Sequence, residues 1–182
     1  MLASRYSAAK LRTVDAALEL FTRHGITGTS LQMIADKLGV TKAAIYHQFP
    51  TKDAIVVAVV EVHLVPIEDA LLTAERVGPT PEAREDLLSA IIDTVVRNRF
   101  MLTTLQSDPA LFRVLADHDE SRHLWVRLFT FLLGDQLDNP ERVRAAVLSA
   151  AIGAVAHPFV RDLDDQELAT ELLVITRRLI AD

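Results

Sequence analysis

Apolar residues recur along this chain at three- and four-residue intervals almost without interruption, the period of a helix that buries one face. Leu11, Val14, Leu18 and Phe21 make the first such stripe, and Gly25 follows as a natural stop. Leu31, Ile34, Ala35 and Leu38 make a shorter one, entered through the capping residues Thr29 and Ser30 and closed by Gly39. A third short helix is expected from Thr41, with Ile45 and Phe49 facing inward and Val40 entering the same core. Further on, Thr80-Pro81, Asp108-Pro109 and Asn139-Pro140 each set a capping side chain before a proline that suits the first helical position. Asp164 with Glu167 opens a last helix over Leu168 to Ile180. No segment shows the sustained alternation of a strand. The expected fold is all-α with about nine helices: a three-helix head, residues 1–50, on a helical body, residues 51–182, without a flexible linker. Pro66 interrupts the stretch that starts at Thr51. It removes one backbone bond, so one helix to about Val65 and another from Pro66 to Arg76 are expected.

Composition narrows the class. Half of the 182 residues are hydrophobic and 24% are charged, the balance of a folded chain. The absence of cysteine excludes disulfides, cysteine-ligated zinc and thiol nucleophiles. The N-terminal charges precede no apolar signal core. The longest apolar run, Ala145 to Val160, is broken by Ser149, Gly153 and His157 and is too short for a bilayer, so the cytoplasm is the expected compartment. Net charge is −6, but it is unevenly placed. Residues 1–52 carry seven basic and three acidic groups, a surplus of +4, which leaves −10 on the rest. A basic end on an acidic body suits a polyanion partner.

Residues 31–49 have the layout of a helix-turn-helix, with Gly39 in the turn. The first helix braces the second so that its N-terminal half enters a major groove about 12 Å wide. With Ile45 and Phe49 spent on packing, the opposite face presents Lys42, Ala43, Tyr46 and His47. Ala43 and Ala44 are small enough for close approach to base edges. Lys42, Tyr46 and His47 supply donors. Thr29 and Ser30 combine hydroxyls with free amides at a helix start, a place for a phosphate. Thr51 can cap the fourth helix, and Lys52 can reach a second phosphate.

The run Phe21-x-x-x-Gly25-x-x-x-Thr29-Ser30-x-x-x-Ile34-Ala35-x-x-x-Gly39-Val40, then Tyr46-x-x-Phe49-x-x-Lys52, resembles the N-terminal signature of the tetracycline-repressor (TetR) family at every spacing. The resemblance covers roughly residues 8–53. It implies a ligand-responsive regulator, by the family's default a repressor, that binds palindromic operator DNA as a dimer and releases it when a small molecule enters the body. It also implies DNA contacts at Thr29, Ser30, Thr41, Lys42, Ala43, Ala44, Tyr46, His47 and Lys52. The family often has glycine or proline followed by threonine where this chain has Ala43 and Ala44, so the operator sequence does not transfer.

The body matches the family only in length and helical layout. Phe100, Met101, Leu105 and Phe112 lie on segments that the family places around a cavity. Trp125 and Phe129 are aromatic neighbours, and His63 and Gln106 are polar handles, which completes a candidate effector site; an ordinary core is the competing reading. The helix expected over 140–157 carries Ala145, Ala146, Ser149, Ala150, Gly153, Ala154 and His157, small residues at spacings that let two helices approach closely. By resemblance it pairs with its symmetry mate together with residues 165–181, which include Leu172 and Ile175. Tight packing inside one chain is the alternative. Two-fold symmetry would set recognition helices about 34 Å apart. The cluster Asp117, His118, Asp119, Glu120 and His123 has its histidines five apart rather than four, so a polar helix junction is expected and no metal. No GxSxG, phosphate-binding glycine loop or HExxH is present, so neither enzyme activity nor a cofactor is expected. Two rivals stay open: a DNA-binding regulator controlled by a protein partner, and an enzyme using the helical cavity.

Overall fold

The computed structural model describes residues 6–106, 108–116, 119–134 and 139–180. Among them are ten α-helices and no strand. In chain order these are α1 (Ala8–Gly28), α2 (Leu31–Leu38), α3 (Lys42–Gln48), α4 (Lys52–Val77), α5 (Pro81–Arg97), α6 (Arg99–Gln106), α7 (Pro109–Ala116), α8 (Asp119–Leu133), α9 (Asn139–Gly153) and α10 (Asp165–Ile180). Two single 3-10 turns, Ala154–Ala156 and Pro158–Val160, lie between α9 and α10. The fold is all-helical as expected, but its divisions differ at three places.

The stretch expected to split at Pro66 is one helix, α4, with the proline inside it. Proline removes one ladder bond, yet its own φ is helical. Apolar side chains are buried on both sides of it, Ile55, Val56 and Val59 before and Ile67 and Leu71 after. Each contributes roughly 1.5–3 kcal/mol, which outweighs the bond. The helix expected to reach His157 stops at Gly153. Pro158 pushes His157 out of the helical region, and His157 is extended at φ −76° and ψ 139°. Val40 does not enter the core and is 42% exposed. Gly39, left-handed at φ 65°, turns the chain so that Val40 donates its N–H to the carbonyl of Ala35 at 3.0 Å while its side chain points away.

The chain forms two compact units, residues 1–65 with 104–121 and residues 66–103 with 122–182. The first half of α4 and all of α7 thus belong with the head, and compactness divides the chain elsewhere than at residue 50. In the first unit α1 packs on α2, α2 on α3 and α1 on α7. Its core holds Val14, Ala17, Phe21, Ile34, Ala35, Ile45 and Phe49. In the second unit α10 lies against α5 and α9, over a core that includes Leu87, Leu88, Ile91, Ile92, Leu128, Leu148 and Leu168. Thr80 and Asp164 cap as expected, Thr80 accepting from Ala83 N–H at 3.1 Å and Asp164 Oδ1 from Gln166 and Glu167 N–H, both at 2.9 Å, whereas Asn139, expected as a cap, is itself the first residue of α9.

Candidate nucleic-acid interface

Each short helix of the head begins on a hydroxyl. Ser30 Oγ accepts from Met33 N–H at 3.2 Å, and Thr41 Oγ1 accepts from Ala44 N–H at 3.2 Å. Both caps are exposed. Thr51 does the same for α4, accepting from Ala54 N–H at 3.0 Å. A cap fixes where a helix starts and hence which residues share a face. In α3 the inner face is Ile45, fully buried, while Phe49 closes its C-terminus at 3% exposure. Thr13 of α1 donates to Gln48 Oε1 at 2.9 Å, so α3 is held by a polar latch as well as by packing.

The outer face carries what the sequence placed there. Lys42, Ala43, Tyr46 and His47 are exposed, and Ala44 is half-buried. Lys42 Nζ lies 5.7 Å from the centroid of the Tyr46 ring, a cation over an aromatic face. Across the head, Lys37 pairs with Glu19 at 2.6 Å, tying α2 to α1. That hydrogen bond holds the Glu19 carboxyl below its usual range.

Two expected phosphate contacts are engaged elsewhere. Thr29 is 2% exposed, and its hydroxyl donates to the Gly25 carbonyl at 2.8 Å. The reason is the break in α1: at φ 73° Gly25 leaves the helix, and its carbonyl needs a donor. Lys52 Nζ donates to the carbonyls of Ile26 at 2.7 Å, Thr29 at 3.0 Å and Thr27 at 3.5 Å. Its three N–H bonds close the C-terminal end of α1, where a cation also meets the negative end of the helix dipole. The two side chains brace the turn from which α2 starts.

Sequence reading missed a third brace, Asp108. In the sequence it reads only as the cap of α7, which it is, with Oδ1 accepting from Ala110 N–H at 3.0 Å. Its other oxygen accepts from Thr27 N–H at 2.9 Å, and Oδ1 also takes the Thr27 hydroxyl at 3.2 Å. The Thr27 N–H bond holds this carboxyl below its usual range, against the opposite pull of burial. No local signal could have found a pair 81 residues apart.

In the body, the candidate effector residues are distributed over both units. His63 belongs to the first, half-buried, its Nδ1 hydrogen-bonded to the Val59 carbonyl at 2.8 Å. In the second, Met101 is half-buried, and Trp125 and Phe129 stack with centroids 6.1 Å apart. Phe100 is 74% exposed, so within this chain it lines no cavity. An exposed place follows from its position just after the α5 cap, where α6 begins. The side chains of Leu105, Gln106 and Phe112 lie outside the described residues, as do the residues or side chains of Asp117, His118, Asp119 and Glu120; His123 is exposed. Of the candidate pairing residues, Ala146, Ser149, Ala150, His157 and Ile175 are exposed and Gly153 and Ala154 half-buried. Leu172 is buried within the chain, one position off the outer stripe of α10.

A short helix capped by Thr41, pinned by Ile45 and Gln48 and showing a basic and aromatic face, is the second half of a DNA-binding helix-turn-helix. Residues 14–59 match the model of "Bacterial regulatory proteins, tetR family", so the head of this chain is similar to the DNA-binding head of those transcriptional regulators. It is 42% identical over 53 residues to the HTH-type transcriptional regulator RutR of Escherichia coli (strain K12), an alignment covering 29% of this chain and 25% of RutR. It is 36% identical over 66 residues to SrpR of Pseudomonas putida, covering 36% of this chain and 31% of SrpR. The similarity thus spans about a quarter to a third of these curated relatives. The fold extends further. A TetR-like regulator from Rhodococcus sp. RHA1 superposes with a TM-score of 0.68 at 22% identity, over 96% of this chain and 97% of that one. NalD, the secondary repressor of the MexAB-OprM multidrug efflux pump in Pseudomonas aeruginosa, gives 0.68 at 19% identity, over 93% and 94%.

Proposed function

We propose that this chain represses transcription by binding palindromic operator DNA as a homodimer, in the cytoplasm, and lets go when a small molecule occupies its body. Residues 1–50 carry the DNA contacts; residues 51–182 carry sensing and pairing. The observation behind the reading is the outer face of α3, where Lys42, Ala43, Tyr46 and His47 stand exposed while Ile45 is fully buried. Ser30 and Thr41, exposed at the starts of α2 and α3, supply the amides and dipole ends that suit phosphates. Thr29 and Lys52 act behind the interface. Pairing is supported by an unpartnered apolar stripe: Val143 and Val147 on α9 and Val174 and Ile175 on α10 are 41–63% exposed. The effector is an apolar molecule held by residues such as Met101, Trp125 and Phe129 of the second unit. Its binding is transmitted through α4.

Selection from a random duplex library with the full-length chain tests the core of this. A two-fold symmetric site should emerge, and Tyr46→Ala should weaken binding to it by roughly tenfold or more while leaving helix content unchanged. No enriched duplex at low salt would sink the reading. A metabolite panel scored by melting temperature separates the effector from the rival control by a protein partner: a ligand that raises the melting temperature should also release the duplex.

A further inference from the structure

We propose that Asp108 is a positioning residue for operator binding: a carboxylate outside the three-helix head that sets the turn from which α2 starts. The proposal rests on the operator reading above and names a residue that reading does not use. Asp108 sits at the start of α7 and is 9% exposed. It holds Thr27 by two bonds, to the N–H at 2.9 Å and to the hydroxyl at 3.2 Å. Thr27 lies between Gly25, where α1 breaks, and Ser30, where α2 is capped. Lys52, the first residue of α4, grips the same turn through the carbonyls of Ile26 and Thr29. One anion therefore takes a donor of the turn and one cation takes its acceptors. A Cβ at Gly25 would lie 3.2 Å from Asp108 Oδ2, so the glycine also makes room for the carboxylate.

The same two helices are linked once more, since Arg113 in the last turn of α7 reaches Asp53 at the start of α4 at 3.6 Å. A shift in the beginning of α7 pulls on Thr27, and the turn carries it to the N-terminus of α2. Loosening this grip leaves α2 to be ordered at the moment of binding, which weakens the complex without removing any DNA contact.

The variants separate the two jobs of the side chain. Asp108→Ser keeps the cap on α7 but cannot reach Thr27. Asp108→Asn keeps the shape but has one acceptor oxygen, so one of the two N–H groups must face a donor. In the full-length protein both should accelerate amide exchange at Thr27 and weaken binding of the selected duplex about tenfold. The dependence of affinity on salt should not change, because no phosphate contact is lost. Thr27→Val, with Asp108 intact, retains the backbone N–H bond and should keep most of the wild-type affinity. Wild-type protein that selects no duplex overturns the operator reading; Asp108→Ser that binds and exchanges like the wild type overturns the positioning role alone.

Discussion

Two lysines ten residues apart illustrate what a side chain's position in sequence says and what it leaves out. Lys42 stands on the outer face of α3 with its ammonium near the Tyr46 ring, while Lys52 spends its ammonium on three carbonyls of the α1–α2 turn. Lys42→Ala should reduce the salt slope of duplex binding by about one. Lys52→Met should leave that slope unchanged and instead lower the melting temperature, since it strips the carbonyls of buried partners. Paired titrations at several salt concentrations, with thermal unfolding alongside, check both. The caps at Ser30 and Thr51 were legible because a cap and its amide lie three residues apart. The aim of Lys52 and the second grip of Asp108 were not, because they depend on where a distant turn comes to rest. Asp108 also fixes a pH dependence. Its carboxyl is held below the ordinary value by Thr27, so the folded state binds that proton less readily than the unfolded chain. The stability it contributes is therefore complete above the unfolded value of about 3.9 and fades as pH falls through the lower folded value. Urea midpoints should accordingly show wild type well above Asp108→Asn at pH 7, with the gap narrowing below about pH 4.

At the scale of elements, the apolar period gave the number and placement of most helices, and its errors have a common origin. Periodicity reports a buried face but not whether one lost bond ends a helix. Around Pro66 burial on either side keeps α4 whole; at Pro158 only four residues separate the proline from the glycine that ends α9, and the chain falls into single 3-10 turns. Pro66→Ala restores the missing donor in α4 and should stabilise the protein by about 1–3 kcal/mol in urea unfolding. If α4 carries the effector signal, the same change should reduce the difference in operator affinity with and without a ligand found by the melting screen. Unchanged coupling would place the hinge elsewhere.

For the whole molecule, the small residues of α9 pointed to a close helix contact, and the structure adds what composition could not: which sides of α9 and α10 remain uncovered. Val143, Val147, Val174 and Ile175 are exposed, whereas Leu172, one turn from Ile175 by count, is 6% exposed and belongs to the core. Ile175→Asp should give a folded monomer by sedimentation, with operator affinity falling as the advantage of two linked sites is lost. Leu172→Asp should instead unfold the chain. A dimer that persists in Ile175→Asp would move the pairing surface elsewhere.

The chain passes between its two compact units at 65/66, 103/104 and 121/122, and each crossing falls inside a helix: α4, α6 and α8. None of the three crossings is a loop at which an exchangeable cassette could be cut. Grafting residues 1–50 onto a foreign sensor would leave Thr27 without Asp108 and the turn without Lys52. A working chimera must bring those supports with it, so a transplantable head has to include the start of α4 and the start of α7 as well as residues 1–50.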